Sequence, residues 1–411
     1  MTMKRRLLGR AGPMLALAIL VAPVLAGCGA EATATPVPPT APAATDTPAA
    51  APATDTPAAV MTPTEAMAAA TATTGGAAMG GKLKVGLVTD VGRLNDKSFN
   101  QSSWEGVQQA EKDLGAEVKA IETTDTKDYQ KNIQQFLDNK YDVIVTVGFN
   151  LGADTITAAK ANPGVKFIGV DQFQDPTAGT LPNLAGLIFD EDKAGYLAGV
   201  LAASISKSGN IGAVCGTDTV PPVWRYGEGY KAGAKSVKPD ITVQVVYHSD
   251  VDISKTFVDP EWGKTTALSM IDRGADVVFG AGGLTGNGAI FAAKDKKIAA
   301  IGVDTDQYLT IGDEYKGALV SSAMKLLTPG VFGLIKEVQA GTFKGGNNVG
   351  PVGLAPFHDM ESSVPADLQA KLKTIDAGLK DGSVKTCVSP AKGAPSPCGA
   401  ATGSATATST P

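Results

Sequence analysis

Four short stretches carry the residue types whose spacing could do chemistry. They are Asp90 with Asn95-Asp96-Lys97-Ser98-Phe99-Asn100, Thr217-Asp218 through Arg225-Tyr226, Gly282-Gly283-Leu284-Thr285-Gly286-Asn287-Gly288, and Asp304-Thr305-Asp306. Carboxylates accept charge-assisted hydrogen bonds from N–H and O–H donors. Aromatic rings offer stacking faces to a flat molecule, and glycines let the backbone approach one closely. No bond-cleaving set stands out among them. There is no dense aspartate cluster on one loop, no Glu-x-x-His and no nucleophile elbow. With only His248 and His358, and no C-x-x-C or H-E-x-x-H spacing, no metal site and no cofactor are expected. The glycine block is not a phosphate cradle, because Gly286 is followed by Asn287 and Gly288 where a P-loop needs Lys and then Ser or Thr. Dinucleotide spacing fails too, and no arginine cluster lies nearby, so the expected ligand is uncharged.

These stretches need elements to hold them. Short apolar runs at Leu83–Thr89, Asp142–Gly148, Val165–Val170, Asn210–Cys215, Val243–Tyr247, Asp276–Gly280 and Ile298–Val303 predict strands. Helical periodicity predicts helices at Ser98–Leu114, Lys127–Asn139, Glu191–Ser206, Glu228–Val237 and Lys264–Arg273. The alternation implies parallel sheets covered on both faces, a doubly wound α/β architecture. In such sheets ligands sit beyond the C-terminal ends of strands, at helix N-termini, which is where the four stretches fall. A faint repeat, Tyr141-Asp142-Val143-Ile144-Val145 against Ala275-Asp276-Val277-Val278-Phe279, fits two similar lobes. About 300 residues from Gly81 onward are too many for one ordinary core and suit two.

The ends of the 411-residue chain have other characters. Lys4, Arg5, Arg6 and Arg10 precede an apolar run, Met14–Ala26, that is too short to span a bilayer and looks like a signal peptide over 1–27. It closes in Leu25-Ala26-Gly27-Cys28, which resembles a bacterial lipobox and would make Cys28 the lipid-bearing first residue of the mature chain. Residues 28–80 are Ala, Thr and Pro with few large apolar side chains and should form a disordered tether. The tail 391–411 has the same composition and carries the same expectation. Cys387 and Cys398 could close a small structural disulfide, whereas Cys215 lies within a buried-strand pattern. The formal charge of −5 comes with Lys and Arg spread along the chain, so no basic stripe points to nucleic acid.

A resemblance sharpens this picture. Val88-Thr89-Asp90-Val91-Gly92, the block from Asn95 to Ser102 and Trp104-Glu105-Gly106 resemble the opening signature of the basic membrane protein family. Pro222-Val223-Trp224-Arg225-Tyr226, Gly283-Leu284-Thr285-Gly286-Asn287-Gly288, Gly302 to Gln307 and Ser321-Ser322-Ala323-Met324-Lys325 extend it over nearly all of Lys82 to Ser383. The resemblance implies a type I periplasmic-binding-protein fold: two Rossmann-like lobes joined by a hinge, closing on ligand. The first lobe is expected to hold 82–190 plus 305–341 and the second 191–304 plus 342–386. It further implies a lipid-anchored, extracytoplasmic solute-binding protein that is monomeric, captures a nucleoside and serves an ABC permease. A base would stack between Phe99 and Tyr226, with Asp90 and Asn100 at its polar edge. Asp304 and Lys325 would hold the ribose, with Gly283 in a nearby turn. No catalytic residue is expected. The alternatives left open are a receptor for a sugar or another small solute in signalling, and a surface nucleoside hydrolase.

Overall fold

The computed structural model describes residues 82–399. Cys28, the signal segment and the tether therefore lie outside the described residues, as do positions 400–411.

The chain opens with β1 (Lys84–Val91), α1 (Phe99–Leu114), β2 (Glu117–Thr123), α2 (Tyr129–Asp138), β3 (Val143–Val147), α3 (Gly152–Ala161), β4 (Lys166–Val170) and β5 (Leu184–Phe189). It then builds a second lobe from α4 (Glu191–Ile205), β6 (Asn210–Cys215), α5 (Pro221–Val237), β7 (Thr242–Tyr247), α6 (Ile253–Thr256), α7 (Pro260–Asp272), β8 (Val277–Ala281), α8 (Gly283–Lys296), β9 (Ala299–Asp304) and β10 (Leu319–Lys325). Helix α9 (Leu327–Gln339) and β11 (Gly346–Gly350) return to the first lobe, while β12 (Val352–Leu354) and α10 (Ala366–Asp381) complete the second.

The two sheets share one plan. Their strand orders are β11-β5-β4-β3-β1-β2 and β12-β10-β9-β8-β6-β7. All pairs are parallel except β10 with β12. The repeat seen in sequence is real: β3 and β8 hold the same place in their sheets, and the aspartates before them do the same work. Asp142 accepts from the backbone N–H of Lys84 as β1 starts, and Asp276 accepts from the N–H groups of Lys207 and Ser208 ahead of β6. Central strands such as Val143–Val147 and Val277–Ala281 are wholly buried, as their mostly apolar runs suggest.

Several expectations change. The segment 305–325 does not return to the first lobe. Strand β10 pairs with β9, Ala323 opposite Val303, after a connection of short turns that needs no covering helix. Conversely, β11 lies within 342–386 yet pairs with β5 of the first sheet, so the lobes exchange chain at 189–191, 325–327 and 350–352. The glycine block is not a turn but the first two turns of α8, where close packing on α7 uses its small residues; a Cβ at Gly288 would lie 2.2 Å from the Pro260 carbonyl. Finally, α5 begins at Pro221 rather than Glu228, since proline is well suited to the first helical turn. Residues 391–399 are ordered against the second lobe instead of trailing free, and Cys387 and Cys398 are joined. Cys215 is a buried thiol in β6, and burial pushes its pKa up.

Candidate functional site

Between the lobes, at the C-terminal ends of both sheets, lies a cavity. Asp90, Phe99, Asn100, Tyr226, Gly283, Asp304 and Lys325 all line it. They come from the segments that follow β1, β6 and β8 and from the ends of β1, β9 and β10, and they converge only because the two lobes face each other.

Phe99 and Asn100 are the first residues of α1. That helix start is held by Asp96, whose carboxylate accepts from the backbone N–H groups of Ser98, Asn100 and Gln101. Asp96 is buried, and desolvation pushes its pKa up to about 6 against those hydrogen bonds. Phe99 is half-buried, with Lys325 Nζ 4.6 Å from its ring centre. Asn100 is buried, and its Oδ1 has no partner among the described residues.

Asp90 ends up differently engaged from Asn100. Its carboxylate accepts from the Tyr129 hydroxyl, the Val91 N–H at 2.6 Å, and the backbone and side-chain N–H groups of Asn150 at 3.2 and 2.9 Å. Four protein donors are what two carboxylate oxygens ordinarily accommodate. Burial nonetheless raises its pKa, outweighing those bonds. Gly148, with φ +117°, permits this packing: a Cβ there would fall 2.5 Å from that of Asp90.

The second lobe supplies the opposite wall. Tyr226 is only 3% exposed, packs edge-on against Phe279 with ring centres 6.0 Å apart, and donates its hydroxyl to the Ala323 carbonyl at 3.1 Å. It is thus as much a core residue as a cavity one, unlike a free stacking face. Gly283 starts α8 at φ +57°, where any Cβ would be strained and 3.1 Å from the Phe257 carbonyl. Asp304, the last residue of β9, adopts φ +65° and is buried 3.8 Å from Lys325.

Lys325 is the electrostatic centre. Burial alone would strip its proton, but the carboxylates of Asp171, Glu191 and Asp304, at 2.5, 3.4 and 3.8 Å, hold the ammonium charged. Glu191 is wholly buried and shared with Arg225, whose Nε donates to it at 2.8 Å. Asp171 is pushed up to about 7 because desolvation outweighs the Lys325 charge, and Asp304 to about 6 for the same reason. One oxygen of Asp171 meets Lys325, and the other, Oδ1, is buried without a partner among the described residues.

Asp171 and the aromatic Phe149 were not among the expected site residues, and Asp96, though inside the first stretch, had been given no role. Asp171 directly follows β4, so the strand-end rule that found Asp304 would have found it as well. Phe149, 41% exposed beside the cavity, follows β3 in the same way.

The arrangement is an interlobe pocket with aromatic rings, buried acceptors and a buried cation. Comparison with known proteins places it. Residues 83–350 match the family of PnrA-like ABC transporter substrate-binding proteins. The chain belongs to that family. This substrate-binding protein is 32% identical to the ABC transporter nucleoside-binding protein BmpA of Lactococcus lactis, over 71% of its own length and 86% of that relative's. It is 32% identical to a lipoprotein of Pyrococcus abyssi over 64% of its length and 66% of that protein's. Among solved structures it resembles an ABC transporter solute-binding protein from Aeropyrum pernix, with a TM-score of 0.66 and 25% identity, covering 74% of this chain and 92% of that one. The type I periplasmic-binding-protein fold expected from sequence is therefore the fold observed. The family consists of solute-binding proteins rather than enzymes, and such proteins bind small molecules and pair with permeases. Among the described residues no helix is long and apolar enough to cross a membrane.

Proposed function

We propose that this substrate-binding protein is anchored outside the cell membrane through a lipid on Cys28, captures a nucleoside in the interlobe cleft as a monomer, and delivers it to an ABC permease. The observation that carries the ligand class is the pairing of the Phe99 ring with two unpartnered buried acceptors, Asn100 Oδ1 and Asp171 Oδ1, around one cavity. A flat base stacks on the ring, and its N–H groups or the ribose hydroxyls donate to the acceptors, which otherwise stay desolvated at a cost of roughly 1–3 kcal/mol each. Asp304 and Lys325 face the ribose, and Gly283 allows its close approach. Asp90 shapes the wall through Asn150 and Tyr129. In this reading Phe99 supplies the principal stacking face and Tyr226 closes the floor, so the aromatic sandwich is asymmetric. The signal segment, the lipobox and the lipoprotein relative support the anchor.

A thermal-shift screen of the soluble chain lacking residues 1–28 tests this. Purine nucleosides raise the melting temperature by mass action, while ribose alone does little because stacking is lost. Stabilisation by free sugars and not by nucleosides would replace the reading with a sugar receptor. Inosine incubated with the protein is recovered intact; release of free base in proportion to protein would make it a hydrolase.

A further inference from the structure

Beyond α10 the chain folds back onto the second lobe and is closed on itself by the Cys387–Cys398 disulfide, eleven residues apart. Its attachments are selective. Ser389 Oγ accepts from Trp224 Nε1 at 3.1 Å, and Lys392 Nζ pairs with Asp218 at 2.5 Å. Just ahead of the loop, Thr386 donates to Asp192. Asp218 and Trp224 bracket Val220, Pro222 and Val223, which line the ligand cavity from the start of α5. The wall is thus gripped immediately before and immediately after the residues that face the cleft. The loop's Val388, Pro390 and Pro397 also border a second cavity that shares Phe149, Asp171 and Pro222 with the first.

We propose that this disulfide-closed loop is a positioning element of the binding site: by holding Asp218 and Trp224 it fixes the Val220–Val223 wall in its ligand-ready place. The physical reason is preorganisation. A wall tied down before binding spares the ligand the entropy of ordering it. The disulfide contributes by keeping Ser389 and Lys392 together on a short closed loop rather than on a free tail. The effect on affinity rests on the nucleoside reading above; the effect on the wall does not.

The test separates the two. Hydrogen exchange of the backbone over 218–226 is measured on unligated protein, and adenosine or inosine is then titrated. In the Cys387→Ser/Cys398→Ser double variant, exchange at 218–220 and 223–226 quickens and affinity falls about three- to tenfold, as expected for lost preorganisation. Lys392→Ala, which leaves the disulfide intact, moves both readouts part of the way, and Lys392→Arg restores them. Unchanged exchange over 218–226 in both the double variant and Lys392→Ala overturns the proposal. So does quickened exchange with parental affinity, because the wall would then not matter to the ligand. A parent protein that binds no nucleoside sinks the nucleoside reading alone, and the exchange comparison still decides whether the loop holds the wall.

Discussion

Lys325 Nζ and Asp171 Oδ2 meet at 2.5 Å across the cleft, one from each lobe and 154 positions apart in the chain. Lys325 stands at the end of β10, where the chain crosses back to the first lobe, and Asp171 just beyond β4. With Glu191, which sits at another crossover, they form a buried ionic cluster next to the hinge and open to the ligand cavity. The cluster that joins the lobes therefore also lines the cavity, through Asp171 and Lys325.

Replacing Lys325 by Met should leave buried carboxylates without their cation. Breaking such a pair from one side costs about 3–5 kcal/mol. Thermal melts of the unligated variant check this, and a loss below about 1 kcal/mol would mean that the cluster is solvated in the free protein.

The pH dependence has a definite sign. Asp96, Asp171 and Asp304 hold protons more tightly folded than unfolded, at about 6, 7 and 6. Between about pH 4 and 7 the folded chain thus binds more protons, and stability falls as pH rises through that window. The carboxylates lowered by surface partners, such as Asp295 and Asp313, act below their ordinary value of 3.8 and do not oppose it there. Unligated protein should melt higher at pH 5 than at 7.5, while nucleoside affinity moves the other way, because acid neutralises the acceptors. Asp171→Asn should flatten both trends.

The two cavity rings should respond differently. Phe99→Ala removes the exposed stacking face and should cost roughly 1–3 kcal/mol of nucleoside binding, with a smaller effect on folding. Tyr226→Ala opens the second lobe's core and should cost about 3–5 kcal/mol of stability. Tyr226→Phe loses only the bond to the Ala323 carbonyl, about 1 kcal/mol. Titration and melting of the three variants check the assignment; a Phe99→Ala protein that binds like the parent removes Phe99 from the site.

A polar latch also spans the lobes. Gln307 Nε2 and Thr310 Oγ1 donate to the Lys97 carbonyl at 3.2 and 2.7 Å, and Asn287 Nδ2 donates to that of Asp96 at 2.9 Å. Thr310→Val keeps the shape and removes one of these bonds. Nucleoside release should quicken about fivefold, the worth of about 1 kcal/mol, with association unchanged. Stopped-flow dissociation measures it, and parental release rates would show that the latch does not hold the closed form.

Much of this was legible because it is local. Apolar runs followed by helical periodicity mark β1, β3, β4, β6, β8 and β9, and the strand-end rule put Asp90, Phe99 and Asp304 near one cleft. Strand β2 escaped because it is an edge strand, with Glu117, Lys119 and Glu122 facing solvent in place of an apolar run. What tertiary structure decided is non-local. Leu319–Lys325 looks equally ready for either sheet, and only its register on β9 assigns it to the second lobe. The partner of Lys325 is a residue 154 positions away, and nothing in the pattern around Asp171 names it. Whether an aromatic ring faces ligand or core is likewise set by what packs behind it: Phe279 and the Ala323 carbonyl claim Tyr226, while Phe99 keeps part of its surface open at the start of α1. Periodicity reports which face of an element is apolar, but the pairing of buried charges depends on distances that exist only once both lobes have folded and met.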